Sequence, residues 1–424
     1  MKKMVHAGTV AVAVGILLAG CGTATDSPDE PVTVTFQSLA FQDTTIAATQ
    51  DIVDAWNEAN PNIQVDLVQG SWDSVHDQLV TQFEGGTAPD IIHDESADIA
   101  AFAEQGYLAD LTPYLSEEVT SSIPQGIWDS VTASDGSIIA APTLSQSYVV
   151  FANADALAAA GVDVPTGDSL SWDDFADIAR AATGDGKYGL GWALKSPTAT
   201  VMNLALGFGG GFFETDGDET TIDVGDAELE VPSRIHDLAY VDGAIDPITL
   251  TQGGGDALPG FYAGQYAMYV GGNYVAQSLA NEAPEGFNWV VLPPLEGSEG
   301  IGQAANPQTL SVPAESEHIA EAAAFIDFYM SNGNLAKIAE GDWLIPSSEA
   351  AGEQVLADTN GEDGWEQAIA SGKELAVAPF QLAANYPQWK DQIATPALQQ
   401  YFANQIDLDA LKQQLTDGWA QVNG

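Results

Sequence analysis

The 424-residue chain has one cysteine, five histidines and only 10 Lys+Arg against 61 Asp+Glu, for a formal net charge of −51. One cysteine excludes a disulfide scaffold. Too few cationic side chains exclude nucleic acid as a partner, because phosphate binding needs a basic surface, and the same field disfavours an anionic small ligand. The histidines at 6, 76, 93, 236 and 318 form no i, i+4 pair, so no zinc site is expected. No Gly-x-Ser-x-Gly elbow and no Walker A loop is present, and Gly207 to Gly211 lacks the Lys-Ser/Thr that a phosphate loop requires. Asp216-x-Asp218-x-Thr220 opens like a calcium loop but lacks the central glycine and carries Ala227 at the twelfth place. No metal or cofactor is expected. Past the first 20 residues no apolar run approaches the ~20 residues a membrane span needs. Neutral and cationic ligands remain, and the acid spread along the whole chain reads as a solvated surface.

What the chain does have begins at its start. Lys2 and Lys3 precede a short apolar stretch, Val10 to Leu18, followed by Leu18-Ala19-Gly20-Cys21. The pattern is that of an export signal over residues 1–20. Its end resembles a bacterial lipobox. The resemblance implies cleavage before Cys21, lipidation of the Cys21 sulfur and anchoring to the extracytoplasmic face of the cell membrane by acyl chains alone. Thr23 to Glu30 is polar and aperiodic and reads as a tether over 21–30.

From Val32 onward, strand and helix periods alternate. Val32, Val34 and Phe36, then Ile63, Val65 and Leu67, repeat every second residue; Ile46, Val53 and Trp56 share a helical face that must end before Asn60-Pro61. Val75, Leu79 and Phe83 form a second helical face closed by Gly85-Gly86, and Ile91-Ile92 is a short buried strand before a helix carrying Ile99 and Phe102. Such alternation predicts α/β architecture with helix-covered, mostly parallel sheets. Ser171 is placed to cap a helix with Asp174 three residues on. Residues 205–226, rich in Gly, Asp and Thr, read as turns; Phe261 to Gly272 reads as helix then strand, Trp289 to Leu292 as a strand, and Ser316 to Met330 as a helix closed near Gly333.

In order, the segments Glu84–Ile92 (Glu-Gly-Gly-Thr-Ala-Pro-Asp-Ile-Ile), Gly106–Leu115, Gly136–Asn153, Ser171–Phe175 and Phe261–Tyr274 resemble the sugar-binding proteins of bacterial ABC importers, the group that includes maltose-binding proteins. The resemblance runs from about residue 31 to the C-terminus, with Asn273-Tyr274 standing where the family frequently has tryptophan. It implies a two-lobed, type II periplasmic-binding-protein fold hinged about a ligand cleft, with lobe 1 from 31–143 and 275–331 and lobe 2 from 144–274 and 332–424. It also implies a monomer that closes over a neutral mono- or oligosaccharide and delivers it to permease subunits, binding without catalysis.

Open α/β sheets bind ligands beyond the carboxyl ends of their strands. Strand ends therefore nominate Phe41, Gln42, Trp72, Asp94 and Glu95. Acids and amides grip hydroxyls, since charge-assisted hydrogen bonds are about twice as strong as neutral ones, and aromatic planes cover C–H faces. On the family's pattern, Gln146, Trp192, Asn273 and Tyr274 join them, with Asn306, Trp343 and Trp389 as further ligand-binding candidates. Trp56 and Trp172 sit at helix positions and read as core. Two other functions stay open: a cationic solute such as a polyamine paired with Asp94 and Glu95, or a surface glycosidase.

Overall fold

The computed structural model describes residues 31–72, 75–216, 219–383 and 385–423, so the signal, Cys21 and the tether lie outside the described residues. The strand β1, Val32–Ser38, pairs in parallel with β2, Ile63–Gln69, and with β3, Ile91–Glu95. Between them, α1 (Asp43–Ala59) buries Ala48, Ile52, Val53 and Trp56, and α2 (Val75–Gly85) buries Val75, Leu79 and Phe83. The helix α2 gives way to Gly86 at φ +61°, where a residue without Cβ adopts the left-handed turn at no steric cost. After α3 (Ser96–Glu104) and the short β4 (Ala141–Pro142), the chain crosses to a second sheet.

That sheet is built from β5 (Tyr148–Asn153), β6 (Tyr188–Trp192), β7 (Tyr266–Gly272) and β8 (Trp289–Val291), in the order β8-β5-β7-β6. The chain then returns as β9 (Gln308–Ser311), antiparallel to both β3 and β4, completing a first sheet ordered β2-β1-β3-β9-β4. Each sheet has its own apolar core. Phe36, Phe325, Tyr329 and Trp56 anchor the first; Trp172, Trp192, Phe213 and Trp389 anchor the second. As read from the sequence, Ser171 accepts the Asp174 backbone N–H at 3.1 Å, and Trp56 and Trp172 are buried.

Two boundaries differ from the sequence reading. Residues 275–304 belong with the second sheet, because β8 pairs with β5 (Val291↔Phe151) and the helix Val275–Glu282 buries Val275, Ala276 and Leu279 against that lobe. Residues 332–371 belong with the first lobe. The helix read up to Met330 does end there, as Ile319–Tyr329, and a new helix, Asn332–Asp342, follows and buries Leu335, Ala336, Ile338 and Ala339 in the first core, which extends to Trp365. The turn-rich stretch 205–226 also holds a hairpin, Phe213–Asp216 against Glu219–Ile222, because Phe213 has a core to enter, edge-on to Trp389 and Trp419.

Three crossings join the lobes, and they lie side by side. The Ser147 and Ser371 hydroxyls are 2.7 Å apart, and Gln303–Ala304 pairs with Leu375–Ala376. The buried Gln303 amide clamps the entry to β5, accepting the Tyr148 N–H at 2.7 Å and donating to the Tyr148 carbonyl at 3.0 Å. Adjacent crossings of this kind let two lobes rotate about one axis with little loss of internal packing. Among the described residues no helix is long and apolar enough to cross a membrane.

Candidate functional site

Because β2, β1 and β3 are neighbours running in parallel, their carboxyl ends bring residues 39–42, 70–72 and 94–96 to one edge of the first lobe. Phe41 there is 61% exposed. Gln42, at the start of α1, donates to the Asp342 carbonyl at 3.3 Å. Trp72 stands edge-on to His93, 5.5 Å between ring centres. His93 is itself fixed: its Nδ1 accepts the Leu39 N–H at 3.0 Å, so Nε2 carries the proton toward Gln308 Oε1, and burial lowers its pKa to about 4. It is a neutral support for this edge.

Asp94 and Glu95 close the same edge. The first is fully buried: one carboxylate oxygen accepts the Glu95 N–H at 2.8 Å and the other, Oδ2, has no hydrogen-bond partner. Glu95 accepts from Asn306 Nδ2 at 3.0 Å, while Asn306 Oδ1 takes the Ser96 hydroxyl and the Ala97 N–H at 3.0 and 3.1 Å. Asn306 thus caps α3 and holds the acid that precedes it. Its side chain is spent on positioning.

Burial, with Asp98 repulsion behind it, raises the Asp94 pKa well above the carboxylate range and pushes Glu95 up to about 7. A carboxyl whose native pKa lies above its unfolded value retains in the fold a proton the unfolded chain has released, so stability falls as pH rises from about 4.5 to about 7. Glu95→Gln keeps the bond from Asn306 and removes this penalty. It is expected to raise the unfolding free energy by about 2 kcal/mol at pH 8 and by little at pH 4. Denaturant titrations at the two pH values check it, and an equal effect at both would contradict it.

The opposite wall comes from the second lobe. Gly272 pairs with Tyr148, which brings the carboxyl end of β7 beside the amino end of β5. Tyr274 follows at 41% exposure, and its ring occupies the space a Cβ on Gly272 would fill. Gln146 Nε2 donates to the Tyr148 hydroxyl at 3.4 Å. The short helix Tyr386–Trp389 supplies Tyr386 and the adjoining Lys390, whose ammonium lies 5.9 Å over the Tyr386 ring. Tyr148 and Tyr386 both sense the Glu95 charge, and Lys390 acts on Asp94 and Glu95 from across the gap. The two walls therefore face each other.

Five of the sequence candidates have other duties, Asn306 among them. Trp192 is fully enclosed in the second core, stacked 6.2 Å from Trp172, and Trp389 is fully enclosed too, donating its indole N–H to the Leu415 carbonyl at 3.1 Å. Neither ring offers a face to a ligand, because both are enclosed in the second core. Asn273 is buried, accepting the Ser147 N–H at 3.0 Å and donating to the Trp343 carbonyl at 2.7 Å. It ties lobe to lobe. Trp343, left-handed at φ +55°, stacks 5.3 Å from Trp365 and packs against both lobes. Phe41, Gln42, Trp72, Asp94, Glu95, Gln146 and Tyr274 stay at the edges of the gap. Tyr148, Tyr386, Asp98 and Lys390 were not singled out in the sequence. The signal for Tyr386 and Lys390 was an aromatic turn whose tryptophan drew attention from its neighbours.

The family model for bacterial extracellular solute-binding proteins matches residues 42–336. The chain belongs to that family. A lipoprotein of Streptomyces antibioticus, described as uncharacterized and encoded in the oleD 5′ region, is 44% identical over 402 residues, 93% of this chain and 88% of that protein. The diacetylchitobiose-binding protein DasA of Streptomyces coelicolor is 24% identical, over 69% of this chain and 68% of its own. Among solved structures, the GacH receptor of Streptomyces glaucescens, crystallised unliganded and with acarbose, superposes with a TM-score of 0.77 at 21% identity, over 92% of this chain and 98% of that one. The fold of this solute-binding protein is accordingly the two-lobed, type II periplasmic-binding-protein architecture, as the resemblance implied.

Proposed function

We propose that this solute-binding protein is the lipid-anchored receptor of an ABC importer, holding an oligosaccharide between its lobes and delivering it to the permease from the extracytoplasmic face of the membrane. The carrying observation is the pair of facing walls: acids and an exposed aromatic, Phe41, at three adjacent strand ends on one side, with Tyr274, Tyr148 and Gln146 on the other. Side chains that accept hydroxyl hydrogens beside rings that cover C–H faces suit a polyhydroxylated guest. The oligosaccharide and sugar ligands named for structural neighbours, including maltose and cycloalternan, support the same class. The mechanism is population shift. A ligand touching both walls favours the closed form by the difference between its affinities for closed and open states, and the closed form is what a permease would read. The lipobox at Cys21 supports the anchor, as does the lipoprotein relative.

A thermal-shift screen over mono- and oligosaccharides tests this. A ligand at 100 times its dissociation constant adds about 2.7 kcal/mol, which for lobes of this size raises Tm by about 5–10 °C. Product formation from any bound saccharide would return the glycosidase reading; no shift with any saccharide would remove the carbohydrate reading.

A further inference from the structure

We infer that the Asp94–Glu95–Asp98 corner of the cleft binds a basic nitrogen, so that the favoured guest is an oligosaccharide carrying a protonated amine. The inference rests on the carbohydrate reading above and narrows its class.

Three carboxyl groups share the corner where β3 runs into α3: Asp98 and Glu95 raise the cost of charging Asp94, and Asp98 raises that of charging Glu95. Repulsion among acids does not by itself make a site. The second observation is Asp94 Oδ2, which is fully enclosed and has no hydrogen-bond partner, although its twin oxygen is satisfied by the Glu95 N–H. A buried carboxyl oxygen left unpaired carries a desolvation penalty that a polar partner from outside would remove. Around this corner the charged and titratable groups are Asp94, Glu95 and Asp98 on the first lobe and Tyr148, Tyr386, Lys390 and Asp391 on the second. Lys390 is their one cation. Among the described residues it forms no ion pair within 4.0 Å, and its ammonium sits over the Tyr386 ring instead.

Metal ions are a poor fit, since among the described residues no three His, Cys, Asp or Glu side chains converge at ligating geometry. An ammonium group fits better. It brings two or three directed N–H donors, it needs no fixed coordination shell, and it can share carboxylates that are not equidistant. A neutral hydroxyl could satisfy Asp94 Oδ2 but would do nothing to offset the cost of charging Asp94 and Glu95. An amine answers both.

The test is calorimetry on the purified full chain with glucosamine tetrasaccharide, its fully N-acetylated counterpart, maltotetraose and putrescine. At pH 7.5 the glucosamine tetrasaccharide should bind at least about tenfold tighter than the N-acetylated one, the scale of a partly desolvated charge pair. Binding should also release protons from the corner, seen as a heat that varies with buffer ionisation enthalpy. In Glu95→Gln and in Asp94→Asn the ratio of the two affinities should fall toward one. Equal or tighter binding of a neutral tetrasaccharide would overturn the amine inference and leave the carbohydrate reading intact. Putrescine binding with no saccharide binding would support the amine corner and sink the carbohydrate reading. No binding of any of the four overturns both.

Discussion

Replacing Trp389 by alanine is expected to lower the unfolding free energy by about 3–5 kcal/mol, the range for deleting a large aromatic from a packed core. Trp389 is fully enclosed, meets Phe213 edge-on at 5.1 Å, and spends its indole N–H on the Leu415 carbonyl. The residue therefore joins the short helix 386–389, the hairpin at Phe213 and the C-terminal helix Leu408–Val422. Phenylalanine at 389 retains most of the packing and gives up only the indole bond to the Leu415 carbonyl, which lies inside the helix Leu408–Val422 and keeps its helical partner, for a smaller loss of about 0.5–1.5 kcal/mol. Trp192 offers a contrast. It is equally enclosed, yet its indole N–H has no partner, so Trp192→Phe gives up volume while removing an unsatisfied donor, and should cost less than Trp389→Phe. Urea titrations of the four proteins, wild type included, rank these effects. A Trp389→Ala chain with unchanged midpoint and weakened saccharide binding would put that ring in the cleft.

Tyr274→Ala is expected to weaken the ligand about 10–100-fold while moving Tm by less than about 1 °C, because aromatic anchors account for roughly 1.5–3 kcal/mol of binding where they fill a contact. At 41% exposure the Tyr274 side chain contributes little to the fold. The companion variant is Gly272→Ala. A Cβ there would come within 2.4 Å of the Tyr274 ring, so the ring must move although no ligand contact has been deleted. Loss of affinity in both variants, with both still folded by thermal melt, ties binding to the position of the ring. Full affinity in Tyr274→Ala would remove Tyr274 from the site.

Local pattern made the first lobe legible. The alternation of Val32, Val34 and Phe36, the helical stripe ending at Trp56, and the stop at Gly86 each stand in the structure where periodicity and turn chemistry put them. These features depend on neighbours within a few residues. The strand-end rule likewise carried Phe41, Trp72 and the Asp94–Glu95 pair to one edge, since parallel neighbours align their carboxyl ends whatever else the chain does.

Tryptophan was the poorest guide. An indole is large enough to serve either as a ligand platform or as a core anchor, and its letter is the same in both. Which one it becomes depends on the rotation of its element about its own axis: the turn of 386–389 that sends Trp389 inward leaves the adjacent Lys390 facing the acids of the other lobe. Polar residues divided in a similar way. Asn273 and Asn306 have the chemistry of ligand residues, but backbone groups of Ser147 and Trp343 already occupy the amide of Asn273, and Glu95, Ser96 and Ala97 that of Asn306.

Sequence alone determined the α/β alternation, the resemblance to the family and the acid pair at the end of β3, because each is written in short runs of neighbouring residues. Tertiary structure decided which lobe owns 275–304 and 332–371, which aromatics look outward, and that Lys390 confronts Asp94 and Glu95. Those outcomes are set by contacts between segments up to hundreds of residues apart, where burial and charge from one chain segment fix the role of a side chain in another.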